Sequence, residues 1–382
     1  MKGAVIIEGH VQGLSNVRSI GELGAPVIVI DMHNCIARYS KYCKHFFKCP
    51  PYASDEFADF LLQLADKEKL QDWLLIPSND HAVHTISRFK SKIEKYYKTL
   101  VPELADLMKI YDKKQLLDIA SHCNVPIPKT QTFKKIDEQL HLEFPILTKG
   151  RNGLDFYKKT GKKVFVSNNE NEFEKHLEEI SKHFGVKDCI TQEIIPENPK
   201  HKTVSFTCFA IQGEIKAHWA GIKLREHPLR FGTATYAKSV DAGAFKEQSE
   251  ILIKKIAYTG VCEIEYLFDE RSCEYKLIEI NPRTWLWVEL SKSCGIDYAK
   301  MMYSFANDMS YSYPDTYNKG IYWMNHITDL PFSLKGIIKG KYSLKEVLKS
   351  YLSGKKFAIF KSKDPLPFLS LIFLLPLLIL KR

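Results

Sequence analysis

Short apolar runs and segments of helical period alternate along the first hundred residues. GAVIIEG is a continuous apolar run of strand length, SNVRSIGELG carries helical spacing and stops on a glycine, and APVIVID is a second buried run. DEFADFLLQLADKEKL repeats its apolar residues every third or fourth position, and DWLLIPS reads as a third strand. Unbroken apolar strands separated by amphipathic helices predict a parallel sheet covered on both faces. The glycines of EGHVQGLSN follow the first strand, where ligands commonly sit in such sheets. No GxGxxG follows it, so a dinucleotide fingerprint is excluded.

From Tyr111 the pattern changes. YDKKQLLDIASHCNVPIPKTQTF predicts a helix, a proline-rich turn and a strand. FPILTKG is a strand that leads into a polar loop, RNGLDF. SNNENEFEKHLEEISKHFG is an amphipathic helix with Ser167 or Asn168 as its N-cap, and DCITQEIIP is a strand. VSFTCFAIQGEIKAHWAGIKL alternates as an antiparallel hairpin across Gln212–Gly213, and REHPLRFGTAT follows as an open loop. ILIKKIAYTG is helical, CEIEYLFDERSCEYKLIEIN is a second hairpin, and WLWVELSKSCG is a closing helix. This half is an α+β module, distinct from the α/β start.

Within YKLIEINPRTW the alternation is itself informative. Residues two apart on a strand share a face, so Glu279, Asn281 and Arg283 point one way while Ile278 and Ile280 point the other. Acid, amide and guanidinium on one half-buried face are costly unless they pair with each other or bind something. A turn near Glu270–Cys273 brings Glu265 of CEIEYLFD opposite that face. Two carboxylates and an amide are hard oxygen donors that suit Mg²⁺, which keeps water and phosphate oxygens in its remaining positions. Arg283 is placed to grip such a phosphate as a fork donor.

Length and charge narrow the possibilities. A chain of 382 residues holds two or three packed modules of about 100–200 residues each. The net charge of +10 fits an anionic small substrate or an anionic membrane surface, and no clustering of lysines with aromatics forms a nucleic-acid motif. Nine cysteines without a CxxC pair indicate a reducing compartment. Cys35, Cys43 and Cys49 with His33 and His45 raise a zinc site, but their spacing matches no usual zinc pattern. The apolar run in MKGAVIIEGH is too short for a signal peptide and places the chain in the cytoplasm. At the other end, Leu366 to Leu380 carry no charge, contain Pro367 and Pro376, and stop at Lys381 and Arg382. A spanning helix needs about 20 residues. This shorter tail behind the lysine-rich KGKYSLKEVLKSYLSGKKFAIFKSKD suits either peripheral contact with the inner face of a membrane or packing on the protein body.

The succession DK…VPIPKT…FPILTKG…ITQEIIP…GVCEIEYLFD…LIEINPR resembles the ATP-grasp superfamily. The closer likeness is to carboxylate–amine ligases, through ARYSKYCK, LLIPSND, IKLREHPLRFGTAT and FAIFKSKDPLPF. The resemblance implies a Rossmann-like parallel-sheet domain over 1–105, ATP-grasp lobes over 106–190 and 191–310, and a C-terminal extension over 311–382. It implies that Lys113 and Lys149 reach the nucleotide phosphates, with Lys114 as the alternative to Lys113, and that GRNGLDF is a lid over them. Gln192 and Glu193 would read the adenine amino group and the Ile195 backbone N–H the ring. Glu265, Glu279 and Asn281 would bind Mg²⁺ (Mn²⁺ being the alternative ion), and Arg283 would contact phosphate. Arg225 would hold the carboxylate substrate or its acyl phosphate, unless it is a structural surface arginine. The implied activity is ATP-dependent joining of a small carboxylate to an amine (or a thiol) through an acyl phosphate. Carboxylation, a kinase-like reaction and a non-catalytic nucleotide-binding subunit are the rival readings. The same likeness implies a homodimer.

Overall fold

The structure is a computed structural model and describes residues 1–196, 202–228 and 232–374, apart from the side chain of Leu154. Five parallel strands open the chain: β1 (Ala4–Ile7), β2 (Val27–Asp31), β3 (Cys43–Lys48), β4 (Trp73–Pro77) and β5 (Tyr97–Thr99), in spatial order β3-β2-β1-β4-β5. Successive residues of the central strands enter opposite cores. Ala4, Ile6, Val27 and Val29 pack with Val11, Leu14, Val17 and Ile20 of the helix Val11–Gly21. Val5, Ile7, Ile28 and Ile30 pack with Phe57, Leu61 and Leu64 of the helix Asp55–Glu68 and with Val83 and Ile86 of the helix Asp80–Arg88. Burial on both faces is why these strands read as unbroken apolar runs, each such side chain contributing about 1.5–3 kcal/mol.

Two details differ from the sequence reading. CKHFFK forms an additional strand, β3, so DWLLIPS is the fourth; β3 is a half-exposed edge strand whose lysines and histidine mask the signal. The helix after β1 begins at Val11, so only Gly9 of EGHVQGLSN's glycines lies in the turn, and Ser15 and Asn16 are buried helix residues.

The second sheet is small and antiparallel: β6 (Thr130–Gln131), β7 (Ile146–Gly150), β8 (Phe165–Ser167) and β9 (Cys189–Glu193), in order β6-β9-β7-β8. The segment read as a polar loop after FPILTKG is instead the start of a helix, Gly153–Thr160. Phe156 buries its ring against Phe165 and Phe184, which supplies the packing that a short polar sequence lacks. The helix Glu170–Ser181 is capped by Asn169, not by Ser167 or Asn168; its side chain accepts a hydrogen bond from the Glu172 N–H.

The third sheet contains β10 (Val204–Ile211), β11 (Glu214–His227), β12 (Thr233–Ser239), β13 (Gly260–Asp269), β14 (Glu274–Asn281), β15 (Tyr322–Met324) and β16 (Lys356–Phe357). Their order is β14-β13-β10-β11-β12-β15-β16. The β10–β11 hairpin turns at Gln212 and Gly213, both with positive φ (49° and 81°), the conformation a two-residue type I′ turn demands. REHPLRFGTAT is largely strand, since β11 runs to His227 and β12 starts at Thr233; residues 229–231 lie outside the described residues. Strands from beyond residue 310 complete the sheet, so the C-terminal extension is partly built into it. The apolar tail is described only to Leu374. No helix among the described residues is long and apolar enough to cross a membrane.

Buried polar ties anchor the extension. Asp329 accepts Arg225 Nε (2.9 Å) and Thr235 Oγ1 (2.7 Å) on one oxygen, and Arg225 Nη2 (2.7 Å) and the Tyr351 hydroxyl (3.0 Å) on the other. Arg18 is held by Asp364 (2.9 Å) and by the carbonyls of Ile359 and Asp364. Replacing Asp329 by Ala would leave Arg225 buried without its counter-charge. The expected loss is about 3–5 kcal/mol in urea denaturation, and an unchanged midpoint would show that the node is not a buried anchor.

Candidate active site

Elements from all three sheets converge on one cluster of charged side chains. Asp112 caps the helix Lys113–His122, accepting from the N–H groups of Lys114 (2.9 Å) and Gln115 (3.3 Å). The same carboxylate grips Arg151, which follows β7, through two bonds of 3.0 and 2.5 Å, and Lys113 N–H donates to the Arg151 carbonyl (3.0 Å). This clasp sets Lys113 beside the end of β7, with its ammonium 3.9 Å from Glu279 Oε2. Lys114 turns away to Asp118, at 2.5 and 2.6 Å. Between the two lysines named from sequence, Lys113 is therefore the one that faces the cluster.

The β13–β14 register places Glu263 opposite Asn281 and Glu265 opposite Glu279, so all four share a face. Asn281 Nδ2 lies 3.3 Å from Glu263 Oε2 and 3.5 Å from Glu279 Oε1, and Ser205 Oγ donates to Glu263 (2.9 Å). From β11, the buried Lys223 donates to Glu265 Oε2 at 2.7 Å.

The charges are visibly crowded. Burial, then the neighbouring Glu265, raises the Glu263 carboxyl to about 8. Burial also raises Glu265, against the pull of Lys223 and with the push of Glu279. Glu279 goes the other way: burial alone would raise it, but Lys113, Lys149, Lys223 and Arg283 together hold it low. Lys149, on β7, is lowered to about 7 by withdrawal from water and by the adjacent Lys113, with Glu279 opposing. Three acids and an amide on one face form an oxygen-donor set that a divalent cation would relieve of its mutual repulsion. Among the described residues, no three His, Cys, Asp or Glu side chains already form a compact metal-ligating group, at Cys35, Cys43 and Cys49 or elsewhere. At the acid face, ammonium groups stand against Glu265 and Glu279 instead.

Other residues named from sequence are placed differently. Arg283 forms a fork on Asp80, at 2.8 and 2.9 Å, with Nη2 3.4 Å from Asn281 Oδ1. Asp80 begins the helix after β4, so the arginine spans from the acid face to the parallel sheet. Arg225 is not brought to the cluster; its guanidinium is occupied by Asp329 and Ser350 and lies over the Tyr236 ring. Contrary to the surface reading, it is a buried structural arginine. Gln192 Nε2 donates to Thr130 Oγ1 (2.8 Å). Glu193 accepts from Lys129 N–H (2.8 Å), Lys276 (2.9 Å) and Arg271 (2.8 Å), which occupies its carboxylate. Ile195 follows β9 with its side chain buried. Sequence reasoning missed Glu263, Lys223 and Arg151 as individual site residues, and it reached Asp80 only as the end of a polar loop, Ser78 to Asp80, beside the substrate. Strand alternation from Glu265 reaches Glu263, and alternation from Arg225 reaches Lys223; no local signal joins Arg151 to Asp112 or Asp80 to Arg283.

Residues 236–312 match the family model for the carbamoyl-phosphate synthase L chain, ATP binding domain. The structure superposes on biotin carboxylase from Campylobacter jejuni with a TM-score of 0.66, at 15% identity, covering 84% of this chain and 74% of that one. It superposes on L-amino acid ligase from Bacillus licheniformis with a TM-score of 0.62, at 13% identity, covering 80% and 74%. The chain has the ATP-grasp fold. A curated relative, D-aspartate ligase from Enterococcus faecium (strain Aus0004), is 24% identical over 242 residues, 59% of this chain and 58% of that protein. The chain thus matches little more than half the length of that relative. The acid face and Lys149 belong to different sheets, and they meet only in the folded protein.

Lys149 offers a direct check on the electrostatics. Competitive amine labelling across pH should give it a midpoint near 7, against about 10 for solvated lysines. Glu279→Gln removes the acid that raises it and should move the midpoint down, while Lys113→Gln removes a repelling cation and should move it up. A midpoint of about 10 in the parent protein would rule out the crowding described above.

Proposed function

We propose that the protein is an ATP-dependent carboxylate–amine ligase. The observation that supports this reading is the meeting of three lysines, Lys113, Lys149 and Lys223, with the Glu265/Glu279/Asn281 face in one cluster. Phosphoryl transfer needs cations around the phosphates while charge redistributes, and such preorganised charge accounts for most of its catalysis. Lys113 and Lys149 hold the phosphates; Lys149, lowered to about 7 by burial and by Lys113, would bind its proton more firmly beside a polyanion. Lys223 bridges from Glu265 toward the transferred group. Glu265, Glu279 and Asn281 would hold Mg²⁺ (Mn²⁺ is the alternative), which when bound neutralises phosphate charge. Glu263, hydrogen-bonded to Ser205 and Asn281, positions the amide. The backbone from Gln192 to Ile195 reads the adenine edge. Arg283 aligns the acid face with the parallel sheet through Asp80 and is placed to meet phosphate once that fork opens.

The reaction balances without a protein nucleophile. A substrate carboxylate oxygen attacks the γ-phosphorus, the bond to the bridging oxygen breaks, and ADP departs, leaving an acyl phosphate. The amine lone pair then adds to the carbonyl carbon, the C–O bond to phosphate breaks, and the nitrogen sheds its proton. Products are an amide, ADP and inorganic phosphate. Activation is required because a carboxylate is a poor electrophile and oxide a poor leaving group. Likeness to proteins named D-aspartate ligase and L-amino acid ligase favours an amino-acid substrate. The carboxyl ends of β1 and β4, close to Arg283 and Asp80, are where it would sit. The basic, apolar C-terminus favours a cytoplasmic reaction on a cell-envelope precursor at the membrane surface.

ADP release measured with paired pools of carboxylic acids and amines should require both partners; release with acid alone would favour a kinase-like reaction. Glu279→Gln should lower turnover about 10²-fold or more with unfolding free energy changed by less than about 1 kcal/mol. Equal turnover in variant and parent would falsify the assignment of Glu279.

A further inference from the structure

Two helices of the C-terminal extension bury the wrong side for surface helices. Such a helix ordinarily turns its apolar stripe toward the core. In the helix His326–Ile338, Asp329, Ser333 and Gly336 are buried, whereas Leu330, Leu334 and Ile338, spaced four apart, are exposed, Ile338 at 87%. The helix Leu344–Leu352 repeats the arrangement: Val347 and Ser350 face inward, and Leu344, Leu348 and Leu352 face out, Leu352 at 88%. The cause is the Arg225 node. Asp329, Ser350 and Tyr351 all bond to Arg225 or to one another there, which fixes Asp329 and Ser350 inward while Lys335, Lys345 and Lys349 stay exposed beside the leucines. The leucines are left facing water.

A third segment extends this face. Leu366, Leu369, Ile372 and Phe373 are exposed, and their neighbour Phe368 lies against His326 at the start of the first helix, with ring centroids 5.4 Å apart. Twelve of the nineteen large apolar side chains that are exposed among the described residues fall between 330 and 373. Scattered apolar residues are ordinary on a surface, but a concentration of this kind marks an interaction site.

Charge selects the partner. Between His326 and Leu374 the sequence has nine lysines and three acids, and two of those acids, Asp329 and Asp364, are buried against Arg225 and Arg18. Glu346 is the one acid left at the surface of this segment. Two copies meeting through this face would bring like charges together, whereas an anionic bilayer satisfies both the leucines and the lysines. The last eight residues, LPLLILKR, continue the same composition.

We propose that the face formed by residues 326–374 docks the protein on a bilayer surface bearing anionic lipid headgroups. The leucine stripes enter the boundary between headgroups and acyl chains, and Lys335, Lys339, Lys345 and Lys349 meet the headgroup phosphates. The inference stands on surface chemistry and is independent of the ligase reading.

Flotation of the full chain with vesicles tests it. The chain should float with phosphatidylcholine vesicles containing phosphatidylglycerol and stay in solution with phosphatidylcholine alone. L334E/L348E, at two exposed positions, should weaken binding about tenfold or more, and K345Q/K349Q should weaken it and flatten its salt dependence. Anionic vesicles should also slow hydrogen exchange in 344–352 of the unmodified chain, a readout that needs no variant. Absence of flotation with anionic vesicles overturns the proposal, as does equal flotation with both vesicle types. So does a dimer in solution that L334E/L348E disperses, which would make the face an interface between copies.

Discussion

Three carboxyl groups share one face of a β-sheet, and much of this fold serves the need to relieve their repulsion, by cations and by keeping Glu263 protonated. Unit charges about 4 Å apart interact with about 4 kcal/mol at an effective dielectric of 20. Burial, then crowding on this face, raises Glu263 and Glu265, and the crowding draws lysines to Glu265 and Glu279. The lysines that oppose them come from three separate elements: the start of the helix Lys113–His122, β7 and β11. The neutralisation is uneven. Glu263 is pushed up to about 8 while Lys149 is pushed down to about 7. Groups held this far from their ordinary values cluster where ligands bind, and they are the basis of the proposed phosphate and metal contacts.

The parallel sheet and the large antiparallel sheet are held together more firmly than the small lobe is held to either. One apolar cluster runs from Ala4, Ile6 and Val29 to Trp219, Trp285 and Trp287. Polar bonds reinforce it: Ser15 to Glu289, Asn16 to Thr284, and Arg18 to Asp364. Around β6–β9 the core residues form two small clusters of their own, centred on Phe173 and Phe156. The Asp112–Arg151 clasp and the Glu193–Lys276–Arg271 network tie that lobe to its neighbours. Lys149 stands on this sheet, so its position relative to the acid face rests on these polar attachments.

Much of the fold was legible because periodicity is local. Continuous apolar runs identified the doubly covered sheet, Gln212–Gly213 identified the hairpin turn, and two-residue spacing put Glu279 and Asn281 on one face. The misreadings occurred where local pattern and final environment disagree. CKHFFK looks too polar for a strand because it lies at a sheet edge, and RNGLDF looks too polar for a helix until Phe156 finds Phe165 and Phe184.

Sequence alone determined which side chains share a face, since backbone geometry fixes that within a few residues. Only the tertiary structure decided which opposite charge each one meets. Arg283 closes on Asp80 across 203 positions, and Arg225 on Asp329 across 104. Nothing near either arginine distinguishes a phosphate grip from an internal fork. The outward leucines of the extension have the same origin: a helix-period pattern defines two sides, but it took a buried guanidinium to draw Asp329 and Ser350 inward.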